Sequence, residues 1–537
     1  MTVQRRAQMA QNQYGERVIR IEFPYDLDVL NKIRSLPGRV WHKEEKCWSA
    51  PIYESTLNNL IKWNFILDDP LLNFLKKINN RKCEVENGNA LRLKGELYPF
   101  QKEGVSWIET HNGRALIADE MGLGKTVQAI GWMQLHPEIR PVVIICPATL
   151  KLTWANEIAK WTDETDVAIL SGTRSRTIKE KIIIINYDIL HDWLSVLKIA
   201  NPKLVILDEM HYIKSNSTKR TKATKLLTKG VDHVIALSGT PIINRPIEAF
   251  NTLKILNPDL FPDYWNFTRR YCNRKHNGFG WDVSGHANER ELHQKLVSTL
   301  MIRRLKKDVL KELPDKIYSH IPIEINNSKE YDEAEWDFIE FVRQTKGDDA
   351  ARRASNAEAF TKIEVLKQLS VKGKLKRAIE WIHDFLEVDG KLVVFATHVF
   401  IIDALMKEFS KIAVKIDGST SMRERQIAVD KFQTDESVQL FVGNVKAAGV
   451  GITLTASSNV AFIELPWTPG ELDQATDRCH RISQKDTVNV YYLLAKGTID
   501  MHLAQIIDMK RKVTSTVLDG QLHEDTSLLH ELMKHYE

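Results

Sequence analysis

Ten short strand-like runs limit how this chain can fold. Five lie in its first half, at residues 115–118, 142–146, 182–185, 204–207 and 234–237. Each is β-rich and apolar throughout. That suits a strand of a parallel sheet buried on both faces, not a half-exposed strand that alternates. A polar loop and a helix-like segment follow each run. Residues 392–395, 413–416, 438–442, 460–464 and 488–493 repeat the pattern. The expectation is an α/β chain with two doubly wound halves.

The remaining segments differ. Residues 18–23 alternate, Leu27, Leu30 and Ile33 recur at helical spacing, and Pro37-Gly38 marks a turn. Trp41, Trp48 and Trp63 read as a small core built on tryptophan. Residues 242–315 interrupt the strand rhythm and are rich in aromatic and basic residues, among them Phe261, Tyr264, Trp265, Phe267, Arg269, Arg270 and Tyr271. Residues 325–372 read as a charged helical connection.

The chain has 537 residues, 43% hydrophobic and 27% charged, the profile of a soluble globular protein with three or four domains. No run of about 18 apolar residues occurs, so no membrane span is expected, and the polar first twenty residues do not read as a secretory signal. Cys47, Cys83, Cys146, Cys272 and Cys479 lack metal-ligand spacing and read as reduced thiols without structural zinc. A net charge of +5 permits nucleic-acid binding without demonstrating it.

Asp119-Glu120-Met121-Gly122-Leu123-Gly124-Lys125-Thr126 follows an apolar run and precedes a helical pattern, the setting of a phosphate-binding loop. Backbone N–H groups near Gly122 and Gly124 would cradle phosphates at a helix N-terminus. Lys125 would pair with the β- and γ-phosphates of ATP, and the Thr126 hydroxyl would hold Mg2+. A strict match would have glycine where Asp119 stands. Asp208-Glu209 ends another apolar run, where carboxylates face the ligand crevice. Asp208 would bind Mg2+ and Glu209 would polarise the attacking water. Gln101 lies before the loop, with a carboxamide suited to an adenine edge. Ser238-Gly239-Thr240-Pro241 follows the next strand and could couple the γ-phosphate region to a second domain.

A second set of residues lies far along the chain. Gln474 begins Gln474-Ala475-Thr476-Asp477-Arg478-Cys479-His480-Arg481, whose Arg478 and Arg481, spaced i, i+3, are expected on one helix face. An arginine inserted from a second domain stabilises transition-state charge. Residues 447–453 form a small-residue loop suited to close approach by a phosphate chain. Lys214, Lys219, Arg220, Lys222, Lys225 and Lys229 occur with no acid among them, either as a solvated helix face or as a phosphate-contacting surface. An ATP site shared between two domains turns hydrolysis into relative motion.

In order and spacing, these segments resemble the SWI/SNF-type superfamily-two helicase-like ATPases. Further matches are Leu237–Pro241, Met301-Ile302-Arg303-Arg304-Leu305-Lys306-Lys307-Asp308-Val309 and Asp477–Gln484. Tyr271-Cys272-Asn273, Gly280-Trp281-Asp282, Ser284-Gly285 and Asn288 are closest to the annealing helicases that remodel replication forks. Phe23, Lys32-Ile33, Gly38, Val40, Lys46 and Trp48 resemble that group's HARP domain, which helps recognise branched DNA. The chain departs from the family at Met210, where Ala or Ser is usual, and at Ala448 and Thr453, which replace Gly and Asn.

The resemblance implies two RecA-like lobes with helical insertions and a small N-terminal α+β HARP-like domain. The implied division is 1–90 for the HARP-like domain, 91–241 for lobe 1, 242–372 for an insertion and linker, 373–515 for lobe 2, and 516–537 for a tail. The implied activity is DNA-dependent ATP hydrolysis with translocation on double-stranded DNA and remodelling or reannealing of branched DNA. The same motor acting on a protein–DNA complex is the alternative. The expected enzyme is a monomer that works with replication or repair proteins. The absence of long extensions points to a cytoplasmic, bacterial or phage-encoded protein, or a nuclear one if eukaryotic. A non-catalytic scaffold fits poorly, because Lys125, Thr126, Asp208, Glu209, Arg478 and Arg481 are all present. A P-loop kinase would leave the second half unexplained.

Overall fold

A computed structural model describes residues 4–11, 17–86, 91–239, 245–276, 280–283, 285–344, 349–388, 390–449, 451–482 and 484–518. Thr240, Pro241, Ser284, Val450, Ser483 and the tail beyond residue 518 lie outside the described residues. The chain divides into two units, Met1–Leu305 and Lys306–Glu537.

The first unit holds two large sheets and the short antiparallel pair Lys275–His276 and Trp281–Asp282. The smaller has the strand order Val40–His42, Cys47–Pro51, Arg17–Glu22, Arg6–Gln11, Ile66–Leu67, antiparallel except for its last pair. The alternation at 18–23 does form a strand, and the Leu27 spacing forms the Leu27–Ser35 helix, capped by the Asp26 carboxylate. Gly38 turns at φ +66°. The core is not built on tryptophan. It is aliphatic, with Ile19, Ile21, Val29, Ile33, Leu57, Leu60 and Leu71 fully buried; Trp48 and Trp63 only border it, and Trp41 is exposed. Branched aliphatics fill the narrow space between sheet and helices, and the indoles are left at its rim.

The larger sheet is parallel throughout. Its order is Met301–Ile302, Arg114–Ile117, His233–Leu237, Leu204–Asp208, Val142–Cys146, Ile182–Asn186, Val167–Ile169. All five apolar runs are strands here, and 142–146, 182–186 and 204–208 are buried along their whole length. The two edge strands were not evident in the sequence. Met301–Ile302 has only two residues, and Val167–Ile169 has one fully buried position. The described residues between 245 and 305 pack with this sheet through Phe250, Leu253, Phe261, Phe267 and Tyr271.

The second unit holds a six-stranded parallel sheet, ordered Lys316–Ile323, Val488–Ala495, Asn459–Phe462, Leu392–Ala396, Leu440–Asn444, Ala413–Ile416. The expected strand at 438–442 begins two residues later. Lys316–Ile323 is an additional edge strand, mostly half-exposed, so it lacks the continuous apolar signature. Helices Ser328–Gln344 and Asp349–Val388 bury Tyr331, Phe338, Ile363 and Leu366 against the sheet. The 372/373 boundary expected from sequence falls inside the second of these helices, and residues 306–372 belong with this unit. The two parallel sheets are the two RecA-like lobes.

Candidate nucleotide site and its supports

The Arg114–Ile117 strand runs into the Asp119–Gly124 loop, and the Lys125–Leu135 helix leaves it. Gly122 and Gly124 have φ of +86° and +77°, which glycine adopts without steric cost. A Cβ on Gly124 would come within 2.5 Å of Gln101 Nε2. Lys125 Nζ donates to the carbonyl of Asp119 at 2.9 Å. Burial lowers the pKa of Lys125, while the charges of Glu209, Asp119 and Asp208 act to raise it. Gly239 stands against the same loop, since a Cβ there would lie 2.6 Å from Met121 Cγ and 3.5 Å from Lys125 Nζ.

Asp208 ends its strand and is buried. One carboxylate oxygen accepts from Trp154 Nε1 at 2.7 Å, the other from the backbone N–H of Glu209 at 3.0 Å. Burial first, and the neighbouring Glu209 charge second, raise its pKa to about 7. Glu209 has φ +50°, a left-handed conformation uncommon outside glycine, and it heads the Met210–Ile213 turn. His211 Nδ1 lies 3.4 Å from the Glu209 carboxylate. Met210 is buried in the core of the first unit.

Asp119, the residue that breaks the strict loop pattern, is fully buried. Its carboxylate accepts from Arg304 Nε at 3.0 Å, from Arg304 NH2 at 2.5 Å and from Gln128 Nε2 at 2.9 Å. Arg304 also donates to the carbonyl of Phe100 and to Gln128 Oε1. Arg303 donates to the carbonyl of Ala118 at 2.9 Å. This bidentate ion pair ties the loop, the Pro99–Thr110 helix and the Met301–Ile302 edge together. Trp154, Gln128, Arg303 and Arg304 were therefore missed as site residues. The departure at Asp119 was the signal for Arg304; Trp154 left none.

Gln101 is buried, and its amide already bridges two backbone groups. It accepts from Tyr98 N–H at 3.0 Å and donates to Leu123 C=O at 3.2 Å, so it braces the loop from below. Of the basic run, Lys214, Lys219, Lys222 and Lys229 are exposed. Arg220 lies over the Tyr212 ring, and Lys225 donates to Asn216 Oδ1.

In the second unit, the Pro469–Thr476 helix ends before either arginine. Arg478 and Arg481 thus share a turn rather than a helix face. Arg478 Nε donates to Gln474 C=O at 3.0 Å, and Arg481 Nε to Asp477 C=O at 3.1 Å. Arg478 NH1 reaches Ile452 C=O at 3.4 Å, and Arg481 NH1 reaches Thr453 Oγ1 at 2.8 Å. Arg478 is buried and Arg481 half-exposed. Asp477 anchors the turn as a buried carboxylate between Lys306 at 2.9 Å and Lys316 at 2.6 Å. The two ammonium groups outweigh its burial and hold its carboxyl well below the usual range.

Residues 100–376 match the SNF2-related domain and residues 373–483 the Helicase conserved C-terminal domain. The human protein "DNA annealing helicase and endonuclease ZRANB3" is 35% identical over 80% of this chain and 41% of its own length. The Caenorhabditis elegans "SWI/SNF-related matrix-associated actin-dependent regulator of chromatin subfamily A-like protein 1 homolog" is 32% identical over 94% of this chain and 75% of its own. The solved "Sulfolobus solfataricus SWI2/SNF2 ATPase core in complex with dsDNA" aligns with 80% of this chain and 95% of its own at 27% identity, with a TM-score of 0.40. The chain spans less than half the length of the human relative and three quarters of the nematode one. The match over more than half of its length and the nematode relative covered to three quarters show that the chain belongs to the SNF2-related family.

Proposed function

We propose that this chain is a DNA-dependent ATPase that moves along double-stranded DNA and remodels or reanneals branched DNA such as replication forks. The observation that carries the hydrolytic half is the crowding of carboxylates at the phosphate loop. Asp208 and Glu209 lie together beside Lys125 and Arg303, and burial together with the Glu209 charge pushes the Asp208 carboxyl up to about 7. A divalent cation held by Asp208 and the Thr126 hydroxyl would relieve that crowding, and Mg2+ when bound neutralises charge on the phosphate oxygens.

The chain's own groups would do the rest. Lys125 and the N–H groups around Gly122 and Gly124 bind the β- and γ-phosphates, with Gln101 and Gln474 at the nucleotide. Glu209 orients the attacking water and receives its proton. Arg478 and Arg481 stabilise charge on the transferred phosphoryl group, Arg481 as the more accessible of the two. All of these residues come from one chain, which supports a monomeric enzyme. The DNA half of the reading is supported by the name of the human relative and by the HARP-like residues of the N-terminal sheet. It implies salt-sensitive, sequence-independent binding. It also implies work beside replication or repair proteins, in a bacterial cytoplasm or a eukaryotic nucleus.

The test is ATP hydrolysis without DNA and with single-stranded, linear duplex and forked DNA, beside Lys125→Ala and Glu209→Gln. Forked DNA should stimulate the parent most, and either variant should lose about 10²-fold or more of turnover while still binding DNA. Turnover in either variant equal to the parent's would refute the site assignment. Turnover indifferent to every DNA would refute the substrate.

A further inference from the structure

The aromatic and basic stretch after residue 260 has no part in the nucleotide site. Its Tyr264–Tyr271 helix turns Phe267 and Tyr271 into the core, leaving Trp265, Arg269 and Arg270 on the outer face. Trp281 belongs to the short antiparallel pair Lys275–His276 and Trp281–Asp282. Both tryptophans are 51% exposed. The Arg274 guanidinium lies between them, 5.1 Å from the Trp265 ring centroid and 4.4 Å from that of Trp281. It also donates to Trp265 C=O at 3.4 Å. His276 meets Trp281 edge to face at 5.1 Å.

The arrangement holds both indoles in place while half of each stays in water. Residues 264–276 contain Arg269, Arg270, Arg274 and Lys275 and no acid. Arg270 is neutralised by Glu291; Arg269, which donates to Asn266 Oδ1, and Lys275, which stands opposite Asp282 across the strand pair, are exposed. Rigid, exposed indoles beside exposed cations are the elements of a surface that stacks bases and tracks a phosphate chain. We propose that Trp265, Arg274 and Trp281 form a binding site for unpaired single-stranded DNA. Bases stack on the open indole faces, and Arg269 and Lys275 meet the phosphates. A duplex hides its base faces in its own stack and offers this patch only phosphates, so the site discriminates unpaired from paired DNA. Such binding needs no nucleotide and stands apart from the hydrolysis proposed above.

The test measures binding of the full chain, without nucleotide, to a labelled oligothymidylate and to a blunt duplex of equal length. The Trp265→Ala/Trp281→Ala double variant should weaken oligothymidylate binding roughly tenfold or more. Its duplex binding should change less than about twofold, because phosphate contacts remain. Trp281→Tyr should recover much of the loss, and Trp336→Ala, which removes another exposed tryptophan, should lose nothing. Oligothymidylate binding within twofold of the parent, or an equal loss on both DNAs, would overturn the site. A measurement on the parent guards against a misfolded variant. Photocrosslinking with a halogenated-uracil oligonucleotide should label Trp265 or Trp281, and a map with neither would overturn the proposal as well.

Discussion

Asp208→Asn should stabilise the first unit while abolishing hydrolysis. The Asp208 carboxyl is buried beside Glu209 and sits near 7 instead of its ordinary 3.8. At about 1.36 kcal/mol per pH unit, keeping it ionised above pH 7 costs the folded state at most about 4 kcal/mol. The folded state binds this proton more tightly than the unfolded chain does. Stability is therefore lost as pH rises from about 4 to 7, and the whole penalty is present above 7. Asparagine removes the charge. Its carbonyl oxygen can still accept from Trp154 Nε1, but its amide nitrogen cannot accept from the Glu209 N–H, a loss of about 1 kcal/mol. The net gain at pH 8 is then about 2–3 kcal/mol, shrinking toward zero near pH 4. Denaturant unfolding followed by tryptophan fluorescence, in a chelator and at several pH values, measures it. An Asn variant less stable than the parent at pH 8, or an advantage independent of pH, would show that the acidic pair is not strained by its own charge. Mg2+ should raise the parent's midpoint and leave the variant's unchanged.

The other predictions concern the supports of the site. Arg304→Met leaves the Asp119 carboxylate buried with only Gln128 and one backbone N–H, and should cost about 3–5 kcal/mol in unfolding of the first unit; adding Asp119→Asn should restore part of it, and strict additivity of the two losses would refute the pairing. Asp477→Asn removes the carboxylate charge between Lys316 and Lys306, which keeps its bond to the His480 C=O, and should cost about 3–5 kcal/mol in the second unit. In the parent, that support is complete above the ordinary carboxyl value of 3.8 and fades as pH falls toward the depressed folded one. Gly124→Ala forces a left-handed alanine against Gln101 and should cost about 1–2 kcal/mol, with weaker binding of an ATP analogue by calorimetry.

Much of this architecture was legible because buried parallel strands leave a local record. The Ile182–Asn186 strand, covered on both faces, opens with four consecutive isoleucines and no polar position among them to confuse with a helix. The strand–loop–helix at Gly122–Thr126 was legible for a similar reason, since its glycines, lysine and threonine lie within one turn of chain. Edge strands left no such record: Lys316–Ile323 faces solvent along much of its length, and Pro322 falls within it. The arginine turn was read as helix because i, i+3 spacing cannot report that the helix stops at Thr476. Trp41, Trp48 and Trp63 were assigned to a core that aliphatic residues fill.

By itself, then, the sequence determined the two parallel-sheet halves, the strand–loop–helix around Lys125 and the strand end at Asp208, because each depends on residues close together along the chain. Only the tertiary structure decided what Asp119 is for. Its partner Arg304 lies 185 residues away, and no local pattern states which of many arginines will meet a buried carboxylate. The same holds for Trp154 on Asp208, 54 residues apart. Propensity and periodicity act over a few residues, whereas burial of charge and shape is settled only when distant segments pack.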